Sequence, residues 1–109
     1  MNGMSGRPVV VIDGCRTPFA KAGTSLKRLA AVDLARHAAR ELLVRTEVPP
    51  NQVDQVIFGQ VIPSVLVPNV AREVALLPQL PKTIPAYSVN RACASSNTAV
   101  ADAFDQIRL

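Results

Sequence analysis

What most constrains the fold of this chain is a threefold alternation of short extended runs with amphipathic segments of helical period. Val9-Val10-Val11-Ile12 is continuously apolar, as in a strand buried on both faces in the middle of a parallel sheet. Asp13-Gly14 and then Arg16-Thr17-Pro18 end it, and residues 19–31 read as a loop with a short turn around Gly23, Thr24 and Ser25. A helix is predicted over 33–46, with Ala35, Ala38, Ala39 and Leu42 inward and Arg36, His37, Arg40 and Glu41 toward solvent. Pro49-Pro50 stops it. Residues 53–61 form a second strand in which Gly59 permits close passage of a neighbour, and residues 63–68 form a loop. Asn69 is a good N-cap for a short helix through Leu77, ended by Pro78 and Pro81. Residues 85–89 are the third strand, and a helix is under way from Asn97. The order strand, helix, strand, helix, strand, helix predicts an α/β fold: a parallel sheet covered by helices, with right-handed crossovers. No internal repeat is visible.

A chain of 109 residues, 49% of them hydrophobic, supports one small domain with a modest core. Twelve Lys and Arg against eight Asp and Glu leave a net charge of +4, which raises the question of nucleic acid. The basic residues are scattered, however, and aromatics make up only 4%, too few for base-stacking platforms. No nucleic-acid partner is expected, and the surplus charge is read as a solvated face. Residues 1–8 are short and polar, without the apolar core of a secretory signal, and no apolar run approaches a membrane span. A cytoplasmic, reducing location is the expectation. There a disulfide between the two cysteines, Cys15 and Cys93, is disfavoured. Cys15 is read as a packing residue at a strand end. His37 is the only histidine, and its place in mid-helix among charged residues makes it a surface side chain rather than a general base. No metal and no permanently bound cofactor are expected.

The chemistry concentrates in Val89-Asn90-Arg91-Ala92-Cys93-Ala94-Ser95-Ser96-Asn97, where a thiol stands between a strand and a helix. In the helix that follows, Ala99, Val100, Ala103, Phe104 and Ile107 share one face, with Asp102, Asp105, Gln106 and Arg108 on the other. Free amides and the positive dipole end at a helix start favour negative charge on sulfur. The same amides can stabilise an oxyanion on a carbonyl that the sulfur attacks. Ala92, Ala94, Ser95 and Ser96 are small enough to leave room for a substrate. A lone cysteine in apolar surroundings is more often a small buried hydrophobe, so spacing alone leaves both readings open.

The segment resembles the nucleophile region of the thiolases, enzymes that cleave or form 3-ketoacyl-CoA. Four further blocks carry the likeness, in the family's order and spacing. VVVIDGCRTPF at 9–19 is similar to the first strand and Arg-Thr-Pro turn, and VDLARHAAREL at 32–42 to the first helix. VDQVIFGQVI at 53–62 is similar to the second strand, and PNVAREVAL at 68–76 to the second helix with its Asn-x-Ala-Arg. GTSLKRLAAVDLAR and Cys-Ala-Ser-Ser-Asn most resemble the β subunit of the fatty-acid-oxidation trifunctional enzyme and its bacterial relatives. Most thiolases carry Cys-Gly-Ser-Gly, whereas this chain has Cys93-Ala94-Ser95-Ser96. The trifunctional-type relatives lack both glycines too, so the difference reads as a subclass mark. It would matter to the turn if those positions needed positive φ, and it bears on acyl-chain preference in either case.

The resemblance implies residues 1–109 as the N-terminal part of a thiolase-like first half, stopping after the nucleophile helix. It implies Cys93 as the acyl-thioester nucleophile, with its backbone N–H an oxyanion donor, in 3-ketoacyl-CoA thiolysis of the fatty-acid β-oxidation type or the reverse condensation. Coenzyme A would be a substrate, its phosphates drawn by the positive charge, and no residue is assigned to hold it. The family's Gly-His-Pro histidine, second cysteine and CoA-binding loops have no counterpart here, so the fragment alone is expected not to turn over. The implied partners are acyl-CoA and CoA. A homo-oligomer, dimer or tetramer, would pair strands through residues 86–89, and an α subunit with hydratase and dehydrogenase activities is a further implied partner. Exposed edges and apolar surface are expected to drive self-association of the fragment. A thiolase-like condensing synthase, and a non-catalytic thiolase-like binding subunit, are the alternatives.

Overall fold

A computed structural model describes residues 6–109; residues 1–5, part of the segment read above for a targeting signal, lie outside the described residues. Its elements in chain order are α1 (Ala31–Thr46), a 3-10 turn (Pro50–Gln52), β1 (Val56–Gly59), α2 (Val70–Ala75), β2 (Ala86–Val89) and α3 (Ser95–Arg108). β1 and β2 run parallel in the register Val56 to Ala86 through Gly59 to Val89, with α2 as the connection between them. The ladder continues one residue beyond each end: Val56 N–H donates to Pro85 O (3.1 Å) and Gln60 N–H to Val89 O (3.0 Å). The parallel α/β arrangement expected from the alternation is therefore present.

One expectation fails. Residues 9–12 belong to no strand, and Val10, Val11 and Ile12 are 75%, 86% and 71% exposed rather than buried on both faces. A continuous apolar run specifies a strand only where neighbouring backbones pair with it and helices cover it. Among the described residues β1 pairs with β2 and neither pairs with 9–12. The molecule measures 52 × 30 × 25 Å with a radius of gyration of 15.1 Å, against about 13 Å for a compact chain of this length.

The core forms instead around α2. Val70, Ala71, Val74 and Ala75 are buried together with Leu77, Leu80 and Ile84 of the connection to β2 and Ala99 of α3. Helix α2 has only six residues, too short to persist by propensity, so its termini are held by side chains. Asn69 caps it as predicted, its Oδ1 accepting from Arg72 N–H (3.2 Å) and from the Ser88 hydroxyl (2.8 Å). The Ser88 oxygen in turn accepts from Ala71 N–H (3.1 Å), and Asn69 Nδ2 donates to Ala86 O (3.3 Å). Arg72 sends its guanidinium to the carbonyls of Ile84 and Lys82, each at 3.0 Å. The Asn-x-Ala-Arg sequence thus fastens α2 to β2 and to the chain leading into it.

Helix α1 begins two residues earlier than predicted. The Asp33 carboxylate accepts from Ala30 N–H (2.8 Å), half of a capping box that the run of small residues concealed. It ends at Glu47, in left-handed conformation at φ 52°, whose N–H bonds to Leu43 O. Its inward residues Ala35, Ala38, Ala39 and Leu42 are half-buried and His37 is exposed, as expected. Arg36 is not free in solvent: it reaches Glu73 of α2 at 2.8 Å and ties the two helices. Cys15 packs against α1, its thiol donating to Ala38 O (3.1 Å), although the strand whose end it was expected to mark is absent among the described residues. No helix among the described residues is long and apolar enough to cross a membrane.

Candidate functional site

Cys93 lies on the turn between β2 and α3, two residues ahead of the helix, and is exposed. The turn is built from its own side chains. Asn90 Oδ1 accepts from Ala92 N–H (3.0 Å), an Asx turn, while Asn90 Nδ2 donates to Val61 O (2.9 Å) in the segment after β1. Ser95, 2% exposed, donates its hydroxyl proton to Ala92 O (2.6 Å) and accepts from Arg91 N–H (2.8 Å). Backbone bonds from Ala94 N–H to Arg91 O (3.0 Å) and from Ser95 N–H to Ala92 O (3.1 Å) tighten the first turn of the helix. Two of the amides at the helix start are thereby consumed. The Cys93 backbone itself takes part in an isolated bridge with Arg91.

The one left-handed residue of the turn is Ala92, at φ 47°. Ala94 has φ −93°, and Ser96 lies within the helix. Neither position at which most thiolases carry glycine requires positive φ, so Ala94 and Ser96 are accommodated without strain.

Gly59 fixes the distance between helix and sheet. A Cβ on it would overlap the Ser96 N and Ser95 C atoms and stand 2.5 Å from Ser96 Cα. The close passage expected at this glycine is the seat of the α3 N-terminus on β1. Both ends of the nucleophile turn are therefore tied to β1 or its continuation, through Gly59 and through Val61.

Helix α3 is rotated from its predicted orientation. Ser95 and Ala99 are buried and Asp102 and Ala103 half-buried, whereas Val100, Phe104 and Ile107 are 65%, 41% and 46% exposed. Asp102, assigned above to the solvent face, accepts from Tyr87 OH of β2 (2.9 Å), and Gln106 donates to the same phenol oxygen (3.1 Å). The seat at Gly59 and the buried bonds of Ser95 dictate this rotation, and those are contacts that apolar periodicity cannot register. Partial burial, and then the acceptor carboxylate, raise the Tyr87 phenol above its ordinary range.

A cleft of about 450 Å³ opens beside the turn, between Arg16, α1, Phe58, Gln60 and Ser96. Cys93 is not in its wall. The buried Gln60 Oε1 accepts no hydrogen bond among the described residues. Both cysteines are free. Cys15, in the segment before α1, donates to Ala38 O, His37 is exposed on α1, and among the described residues no side chain hydrogen-bonds the Cys93 sulfur. Asn90 is a supporting residue that sequence reasoning passed over, and Ser95, read there as leaving room for a substrate, is instead buried and bonded within the turn. Their polar side chains around a thiol were the available signal.

The profile of the thiolase N-terminal domain matches residues 9–109. The chain is 45% identical over 102 residues to a 3-ketoacyl-CoA thiolase of Aeromonas salmonicida and 41% identical over the same length to one of Escherichia fergusonii. Each alignment takes in 94% of this chain and 23% of the relative, so the chain spans about a quarter of the length of these proteins. The fold is similar to the crystal structure of the Bacillus anthracis acetyl-CoA acetyltransferase, with a TM-score of 0.90 and 34% identity. That match covers 98% of this chain and 27% of the other.

Proposed function

The chain belongs to the thiolase family, and from that premise we propose that it carries the nucleophile of a 3-ketoacyl-CoA thiolase whose acyl carrier is the Cys93 sulfur. The observation that supports this most directly is the position of Cys93. It is the exposed thiol of a turn held by Asn90 and Ser95, set at the start of a helix seated on β1.

In the proposed reaction the Cys93 thiolate attacks the 3-keto carbon, and the carbonyl electrons move to oxygen. The backbone N–H of Cys93, just ahead of α3, is the proposed donor to that charge. When the oxyanion collapses, the bond between C2 and C3 breaks. Its electron pair goes to C2, which takes a proton and leaves as acetyl-CoA. The shortened acyl group stays on sulfur as a thioester, until the thiol of a second coenzyme A attacks it and restores Cys93. Run backwards, the same steps condense two acyl-CoA molecules. The proton transfers require an acid and a base. Among the described residues His37 is exposed on α1 and the Cys15 thiol donates to Ala38 O, so neither is proposed as that acid or base, and the fragment alone is expected not to turn over. Homo-oligomerisation through β2, a hydratase and dehydrogenase partner, β-oxidation as the setting and a cytoplasmic location complete the proposal.

The complete gene product incubated with a 3-ketoacyl-CoA is expected to gain an acyl mass on the peptide bearing Cys93 and, with coenzyme A added, to release acetyl-CoA. C93A is expected to abolish both. Acyl transfer that persists in C93A, or an adduct found only elsewhere, would refute the assignment.

A further inference from the structure

Two non-glycine residues among the described residues have a left-handed backbone. Glu47 is the C-cap of α1, where that conformation is ordinary. Ala92 caps nothing: it lies between β2 and α3, immediately before the sulfur-bearing residue. An alanine persists there only when its surroundings over-determine it. Both sides of the residue are held. Its N–H is taken by Asn90 Oδ1 at 3.0 Å, and its carbonyl by the Ser95 hydroxyl at 2.6 Å and the Ser95 amide at 3.1 Å. Asn90 alone also reaches outside the turn, through Nδ2 to Val61 O at 2.9 Å.

We infer that Asn90 is a positioning residue for Cys93: its side chain locks Ala92 into the left-handed conformation and registers the turn on the segment after β1. The inference rests on the reading of Cys93 as nucleophile. The lever is geometric. Rotation about φ of Ala92 redirects everything that follows relative to β2. Relaxation of Ala92 to the right-handed or extended region would therefore swing the sulfur and the Cys93 N–H together, out of the direction set by the helix seat on Gly59. Aspartate at position 90 would keep the acceptor for Ala92 N–H and lose the donor to Val61 O. Glycine at position 92 takes positive φ at no steric cost and makes the lock largely unnecessary.

The test is a double-mutant cycle in the complete gene product, reading kcat and KM for thiolysis in wild type, N90A, N90D, A92G and N90A/A92G. N90A is expected to lower kcat about tenfold with KM within about twofold, the scale on which an L-residue prefers right-handed backbone. In the glycine background the same substitution should cost no more than about threefold. N90D should fall between wild type and N90A. A wild-type kcat in N90A overturns the inference, as does a loss equally large in both backgrounds, which would make Asn90 a general support of the fold. Should N90A fail to fold, N90D decides, and a kcat within about twofold of wild type overturns the inference. A wild-type protein without Cys93-dependent thiolysis refutes the proposed function instead. The crystallographic φ of residue 92 then judges the lock by itself: retention at positive φ in N90A overturns it, and so does loss of positive φ in N90D, which keeps the acceptor.

Discussion

Replacing Gly59 by alanine tests how the nucleophile turn is mounted. The added Cβ would stand 2.5 Å from Ser96 Cα and closer still to Ser96 N and Ser95 C. Carbon atoms in contact settle at about 3.5–4.0 Å, so about 1 Å of separation must be found. All three neighbours are backbone, and no flexible side chain can yield. Either the first turn of α3 lifts away from β1, or β1 shifts against its ladder to β2, whose flanking bonds are Val56 N–H to Pro85 O and Gln60 N–H to Val89 O. Overpacking costs about 1–3 kcal/mol where side chains can adjust, and here the upper end, about 3 kcal/mol, is expected. Gly14 is the matched control: a Cβ there meets nothing within 4 Å, so G14A should change stability by less than about 0.5 kcal/mol. Urea titration followed by circular dichroism should show the midpoint of G59A lowered by about 1 M or more, with G14A at the wild-type value. A displacement of about 1 Å at a reacting group costs about a hundredfold in rate, so G59A that folds should also lose acyl transfer on that scale. If G59A unfolds with G14A and wild type, the account of the helix seat is wrong.

Three further outcomes follow from the geometry. Iodoacetamide should label Cys93 well before Cys15 under native conditions, because Cys93 is exposed while Cys15 is half-buried with its thiol bonded to Ala38 O; peptide mass spectrometry decides, and faster labelling of Cys15 would contradict the packing against α1. The Tyr87 phenol, raised by burial and by Asp102, should ionise above its ordinary range in an ultraviolet titration, and D102N should lower it part of the way, leaving the share due to burial. A raised folded value means that the unfolded chain loses the proton first. The Tyr87 contribution to stability is thus complete below the ordinary phenol range and is lost as pH rises through the folded value, and Y87F should abolish this alkaline loss. N69A should destabilise by about 1–2 kcal/mol in thermal or urea unfolding, since it removes the cap of α2 and strands the Ser88 hydroxyl and Ala86 carbonyl. An unchanged midpoint would show that α2 is held by apolar contacts alone.

The features already decided by the sequence are those whose causes are local in the chain. Asn69 reads as a cap because a short acceptor side chain meets an orphan amide three residues on. Pro49-Pro50 reads as a stop because proline lacks the amide a helix needs, and the thiol at position 93 falls between a strand and a helix whatever surrounds it. The order of blocks around that thiol was enough to indicate the thiolase family. Tertiary structure decided whatever depends on a partner from elsewhere. Val9-Val10-Val11-Ile12 has the composition of an inner strand, yet a strand is defined by the backbone beside it, and the two-stranded sheet supplies none. The face that α3 turns inward followed the contact of Ser95 and Ser96 with Gly59 and the bond from Tyr87 to Asp102, so an aspartate went toward the sheet and Val100 toward solvent. The left-handed backbone at Ala92, where no glycine announces it, is likewise imposed by Asn90, Ser95 and Val61 together. Hydrophobic periodicity measures what a segment could bury, and only the assembled neighbours determine what it does bury and which way its reactive group is aimed.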